Sequence, residues 1–214
     1  EIPGKPGVEV EMNRIAKNIV LALAFLMTVG VAWAAQPVSE SFPVGPGAEV
    51  DIDVLSGSVT IVAGGSGLVE VTGTLGEEVE KFIFERKGDT VVVKVKPIHG
   101  KHSGSRSTSS YITVRVPEQS DLEVASISAE IDVEGVKGEQ ELQSVSGKVT
   151  TQAFTAEIEV ETVSGRIDVV GSGEDIEAEL TTVSAGIEVR DLSGVIDLQS
   201  VNGKLDIGGG SFSD

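Results

Sequence analysis

The chain contains no cysteine. Disulfide staples, thiolate-ligated zinc and thiol catalysis are excluded together. Aromatic residues make up only 4% of the sequence, and histidine occurs twice. Basic residues are also scarce: 16 lysines and arginines stand against 34 aspartates and glutamates, for a net charge of −18. Such a surface repels phosphate backbones, so nucleic acid is not an expected partner. Both histidines, His99 and His102, fall in one Ser/Gly-rich basic stretch, "KPIHGKHSGSRSTSSY" (96–111), with no third metal ligand close by in sequence. Neither a metal site nor Ser-His-Asp catalysis is supported by that spacing, and the stretch reads as a surface loop able to contact an anion or a glycan. No cofactor motif occurs, and no cofactor is expected.

What the chain does have is valine, isoleucine, leucine and 26 glycines, a mixture that favours strands and tight turns. One apolar run stands apart. Residues 12–34, from Met12, carry Arg14 and Lys17, then an apolar stretch from Ile19 to Trp33, then the small-x-small sequence Ala32-Trp33-Ala34. This is the pattern of a secretory signal peptide, too short for a spanning helix of about 20 residues. The expectation is export to the periplasm or cell surface, a mature chain starting at Ala35, and residues 1–11 as a mis-called leader. Residues 35–49 form a mature N-terminal segment and residues 50–214 the domain proper. Exported without disulfides, that domain depends on packing.

From Leu122 the sequence falls into blocks of nine. Their first positions are Leu122, Ile131, Gln140, Val149, Ile158, Ile167, Ile176, Ile187, Ile196 and Leu205; nine of these ten are aliphatic. Third positions are mostly apolar as well, and one block carries two extra residues near Leu180 and Thr181. Positions one and three share a face of a strand. Sixth positions, Ile127, Val136, Val145, Phe154, Val163, Val183, Leu192 and Val201, are read as a further inward set, followed by a turn of Ser, Thr or Asn with Gly or Ala. Two blocks make an 18-residue unit, and the phrases "LQSVSGKVTT", "VETVSGRIDV" and "LQSVNGKLDI" recur on that longer period. A unit this short buries its apolar face only by stacking on its neighbours. The fold class predicted is all-β, a single-stranded β-solenoid of ~18-residue coils. An antiparallel meander is the alternative that strand-turn alternation leaves open.

The N-terminal half is less regular. Val50, Val59 and Leu68 fit the nine-residue frame, "EKFIFERKGDTVVVKVKP" predicts two longer strands around Lys87-Gly88-Asp89, and "SYITVRVP" predicts another. These are read as longer strands decorating the coils. At the other end, "LDIGGGSFSD" starts a further block with Leu205 and Ile207 inward and Ser211–Ser213 at a corner, with nothing resembling a cap. The expectation is a chain truncated at Asp214, or an open edge prone to edge-to-edge self-association.

The recurring phrases, following "YITVRVPEQSDLEV", resemble the bacterial "putative adhesin" family of β-solenoid domains, over roughly Val50 to Gly210. That family is a domain of unknown function. The resemblance implies an exported, all-β protein of the cell envelope and supplies no catalytic motif.

Outward second positions are acidic and fall into two ladders. Glu123, Glu141, Glu159, Glu177 and Asp197 form one; Asp132, Thr150, Asp168, Glu188 and Asp206 form the other. They read as a solvated face with weak cation binding as its functional alternative. Ninth positions place Lys148, Arg166 and Lys204, with Glu130, on one corner and Glu139, Glu157 and Asp175 on the opposite one. The candidate interaction surface is therefore Lys148, Arg166, Lys204, His99 and His102. The functional expectation is a non-enzymatic, adhesin-like interaction or scaffold module for an envelope protein or glycan. The alternatives are a polysaccharide-acting β-helix enzyme, which would need converging unlike polar groups, and a periplasmic accessory of envelope stress.

Overall fold

The computed structural model describes residues 36–64, 67–98, 109–154 and 156–212. Residues 35–214 form one compact unit. The predicted signal peptide, His99 and His102 lie outside the described residues.

The described residues are all β. Sixteen strands run in chain order: β1 (Gln36–Pro43), β2 (Glu49–Ala63), β3 (Leu68–Leu75), β4 (Val79–Lys87), β5 (Thr90–Pro97), β6 (Ser110–Val116), β7 (Asp121–Glu134), β8 (Gln140–Ser144), β9 (Val149–Ala153), β10 (Ile158–Thr162), β11 (Ile167–Gly171), β12 (Ile176–Thr182), β13 (Ile187–Arg190), β14 (Ser193–Ser200), β15 (Leu205–Gly208) and β16 (Ser211–Phe212). They line up in two files. One runs β4-β5-β2-β7-β8-β10-β12-β14-β16, the other β1-β3-β6-β2-β7-β9-β11-β13-β15. The long strands β2 and β7 belong to both, each giving its first half to one file and its second half to the other.

From β7 onward every pair is parallel, which decides against the meander. Residues pair with an offset of 18: Leu122 with Gln140, Gln140 with Ile158, Val149 with Ile167, Ile187 with Leu205. Each 18-residue lap thus lays one strand on each file and hydrogen-bonds to the laps before and after it. The N-terminal end is built differently. β1 pairs antiparallel with β3, β3 antiparallel with β6, and β4 with β5 as a hairpin. The hairpin turns at Gly88-Asp89, with Lys87 facing Thr90, and Gly88 has a φ of 67°, which favours glycine.

The core lies between the two files. First- and third-position residues such as Ile131, Val133, Ile158, Val160, Ile167 and Ile187 are buried, as the alternation predicts. Gln140, the polar exception among first positions, is buried too. Its amide donates to the carbonyls of Val136 (3.2 Å) and Gln152 (3.1 Å), while its carbonyl accepts from the Thr151 hydroxyl. Thr151 is itself a polar third-position residue, so two breaks in the apolar frame satisfy one another.

The structure corrects the frame in three respects: the insertion, the two ends and the sixth positions. The two extra residues are not near Leu180. Gly171 still pairs with Ala153 at an offset of 18, whereas Ala178 pairs with Ile158 at 20, so the insertion sits in the β11–β12 corner, where Asp175 has a φ of 58°. Glu179, not Glu177, therefore continues the first acidic ladder, and Glu177, not Asp175, aligns with Glu157. Leu68 is exposed, because it lies on an antiparallel strand that covers the end of the stack rather than in a lap. At the other end Leu205 and Ile207 extend the ladders of Ile187 and Val189 yet remain exposed, and Ser211 pairs with Ser193 as a strand instead of forming a corner.

The third correction concerns the sixth positions. Val136 and Leu192 are buried, and Phe154 is half-buried. But Ile127, Val145, Val163, Val183 and Val201, predicted inward, are 53%, 46%, 47%, 42% and 74% exposed. The expected burial of Val145 and Val163 side by side is overturned. They do sit on successive laps of one corner, outside the core. The reason is alternation: with positions one, three and five inward, position six must point out. At the opposite corner two of the fifth positions, Gly135 and Asp191, have positive φ (75° and 53°), and there the left-handed residue resets the alternation so that Val136 and Leu192 turn in.

Candidate interaction surface

The corner carrying the exposed aliphatics repeats one construction. The fifth-position residue is always a hydroxyl: Ser126, Ser144, Thr162, Thr182 and Ser200. The first four are buried, and they hold the turn. The amide of Ala129 donates to Ser126 Oγ (2.7 Å) and that of Gly147 to Ser144 Oγ (2.9 Å), while Thr162 Oγ1 donates to the Gly165 carbonyl (2.7 Å). These are local side-chain bonds that let the chain leave one file and enter the other. The small residue that follows is dictated by space. A Cβ on Gly165 would stand 2.0 Å from the Gly147 carbonyl oxygen, and one on Gly147 would stand 1.8 Å from that of Ala129.

The side chain between hydroxyl and glycine is the exposed aliphatic one. Its backbone is fixed lap to lap: the amides of Ser146, Ser164, Ser184 and Asn202 donate to the carbonyls of Ile127, Val145, Val163 and Val183 at 2.8–3.0 Å. The result is a straight apolar ridge along the stack. Register places Leu55, half-buried, at the same corner one lap earlier. A groove of about 370 Å³ runs beside the ridge, floored by Ser126, Ser144 and Thr162 and walled by Val145, Val163 and Val183.

The two flanks of the ridge differ in charge. On the β8-β10-β12-β14 side the outward ladder is Asp51, Glu123, Glu141, Glu159, Glu179 and Asp197. Lys94 pairs with Asp51 at 2.8 Å. Farther along, burial raises the Glu159 carboxyl above the ordinary glutamate value, and Glu161, Glu141 and Glu179 push it further up. The Glu139–Glu157 corner borders a groove of about 340 Å³ walled by Glu49, Glu123, Glu141 and Glu159. No group of three or more histidines or carboxylates among the described residues is placed to hold a metal ion.

On the other flank lie the sequence-predicted residues Lys148, Arg166 and Lys204, and the structure brings all three onto one line. The carbonyls of Lys148, Arg166, Gly186 and Lys204 accept successive amides along the corner. These cations are engaged by the second acidic ladder. Lys148 Nζ meets Asp168 at 2.7 Å, Arg166 Nε meets Asp168 at 2.6 Å and its terminal nitrogen meets Glu188, and Lys204 meets Asp206 at 2.6 Å. Burial pushes the Asp168 carboxyl up, but the hydrogen bonds from Arg166 and Lys148 outweigh it and hold the group below its usual value. The sequence reading named these cations and missed the ridge beside them. The missed signal was the hydroxyl in the fifth position of alternate blocks, Ser126, Ser144, Thr162, Thr182 and Ser200, which marks the inward side of this corner.

The chain is similar to several solved structures. One described as a "putative cell adhesion protein" from Clostridium sporogenes is 9% identical, with 81% of this chain and 100% of that chain covered at a TM-score of 0.41. One described as a "putative adhesin" from Bacteroides fragilis is 14% identical, covering 84% and 97% at a TM-score of 0.44. One described as a "putative lipid binding protein" from Parabacteroides distasonis is 19% identical, covering 83% and 96% at a TM-score of 0.30. No curated protein matches the chain. The family model described as "Toastrack DUF4097" matches residues 48–209, nearly all the laps just described, and the chain belongs to that family.

Proposed function

We propose that this protein is an exported, non-enzymatic module of the cell envelope or cell surface, and that it works as an adhesin-like interaction or scaffold element built on a β-solenoid. The observation that carries this reading is the exposed ridge of Ile127, Val145, Val163, Val183 and Val201. Each of these side chains leaves roughly 1 kcal/mol of burial unrealised in the monomer. Contiguous apolar patches of a few hundred Å² mark contact sites. The chemistry is spread along the stack in ladders, a layout suited to a long contact. The leader-like segment at residues 12–34 supports export.

The test uses residues 35–214, which form a compact unit. Retention on washed bacterial envelopes is compared between this protein and a Val145→Ser, Val163→Ser, Val183→Ser variant. The expected result is a folded variant with at least ~10-fold weaker retention, because interface energy concentrates in such central apolar residues. Equal retention, or release of reducing ends from an envelope polysaccharide, would overturn the reading.

A further inference from the structure

Resting on that reading of the ridge as a contact surface, the geometry points to what it contacts: we infer that two copies of this chain pack ridge against ridge as a parallel dimer, about a two-fold axis running along the stack.

The first argument is the repeat. Ridge residues recur once per lap, at the ~4.8 Å spacing of paired strands. A surface that interdigitates with all of them needs the same spacing, and a second copy has it. The backbone hydrogen bonds of Ser146, Ser164, Ser184 and Asn202 hold the ridge residues in that register. Little order is then lost on contact, which favours association.

The second argument is charge, and it selects the orientation. One flank of the ridge is acidic, with Glu141, Glu159, Glu161 and Glu179. On the other flank the residues nearest the ridge after the turn are Lys148, Arg166 and Lys204. A two-fold axis along the stack sets the acidic flank of one copy against the flank of the other that carries these three cations, where they also pair with Asp168, Glu188 and Asp206, and keeps the two acidic flanks apart. Lys148 then faces Glu141, and Arg166 faces Glu159 and Glu161. An axis across the stack gives an antiparallel pair with like flanks together, which costs energy. A bilayer is the poorer occupant, because the acidic flank is repelled by anionic headgroups.

The absence of native cysteine makes the test clean. In a parallel two-fold dimer every ridge residue faces its own copy. V145C, V163C and V183C should therefore each crosslink with themselves, under oxidation or with a short bis-maleimide, in residues 35–214 at concentrations where sedimentation equilibrium finds twice the protomer mass. An antiparallel pair allows this only at the residue on its axis. The triple variant Val145→Ser, Val163→Ser, Val183→Ser should keep its thermal midpoint at high dilution and lose association by at least 10-fold. A wild-type monomer at millimolar concentration overturns the inference, as does crosslinking at one position alone, or a monomer that co-sediments with phosphatidylcholine vesicles. Loss of envelope retention in the variant while the wild type stays monomeric would sink the dimer and leave the proposed function standing. Dimerisation with unchanged envelope retention would do the reverse.

Discussion

Val160 and Val163 are three residues apart, on one strand and the corner that ends it, and a hydrophobic pattern treats them alike. The structure treats them oppositely. Val160 is fully buried between the two files, while Val163 is 47% exposed on the ridge. Replacing each by Asp in separate variants separates the two accounts. At position 160 the change forfeits roughly 2 kcal/mol of apolar burial. It also places a carboxylate without a partner in the core, which costs several kcal/mol more whether the group stays charged or takes up a proton. The sum consumes much of the roughly 5–15 kcal/mol that holds a domain together. At position 163 the carboxylate remains in water, so the loss is about 1 kcal/mol of partial burial. For a unit of about 180 residues each kcal/mol moves the thermal midpoint by about 2–4 °C. Val163→Asp should thus lower the midpoint by a few degrees, and Val160→Asp should lower it by well over 10 °C or prevent folding. The measurement is circular dichroism melting of residues 35–214 at low protein concentration, so that any association contributes nothing to the midpoint. If Val163→Asp destabilises as much as Val160→Asp, the corner does not point outward and the ridge does not exist.

Three further outcomes follow from the same corner and its flanks. Gly165→Ala should destabilise by about 2 kcal/mol or more in urea unfolding, since its Cβ would press on the Gly147 carbonyl at 2.0 Å, whereas Gly45→Ala, with nothing within 4 Å, should be neutral. Thr162→Val keeps the shape but removes the donor to Gly165, leaves Thr182 without its hydroxyl neighbour at 2.9 Å, and should cost about 1–2 kcal/mol; a stabilised variant would refute the role given to the buried hydroxyls. Glu159 has its pKa raised in the fold, by burial first and by Glu161, Glu141 and Glu179 after it. The native state then binds this proton more tightly than the unfolded chain, so its contribution to stability falls as pH rises through and above the ordinary glutamate range. Glu159→Gln should be more stable than wild type at neutral pH, with the gap closing on acidification; a gap that widens would contradict the sign.

Much of the fold was legible. The 18-residue recurrence of "SVSG"-type phrases implies stacking, and the inward first and third positions follow from alternation alone. Two things were hidden for identifiable reasons. The insertion was misplaced because "IEAELTT" offers aliphatic or small side chains at Ile176, Ala178 and Leu180, any of which fits the frame; only pairing of Ile158 with Ala178 fixes which is in step. The direction of the sixth position was misread because valine occupies it on both corners. At Val136 a glycine with positive φ precedes it and turns it in; at Val163 the extended Thr162 precedes it and turns it out. A backbone angle decides the matter, and valine itself is silent about that angle. Of the candidate site, the cation line of Lys148, Arg166 and Lys204 was visible as a ninth-position pattern. Its neutralisation by Asp168, Glu188 and Asp206 was not, because that depends on side chains of adjacent laps meeting across the sheet.

The repeated phrase can be divided by what each letter does within a lap. The hydroxyl of Ser144 or Thr162 closes the turn, and glycine at 147 or 165 avoids the carbonyl of the lap before. The serine between them adds a bond of its own, as when Ser146 Oγ donates to the Ile127 carbonyl at 3.0 Å. Each of these letters has a structural cause that lies inside the stack. The valine alone has none: its backbone bonds are open to any residue but proline, and its side chain is about half in water. Polar residues in that position would keep the turn and lower the risk of unwanted association. An aliphatic side chain nevertheless returns there in five consecutive laps. Since folding does not require it, its cause lies outside the monomer, in whatever surface meets the ridge.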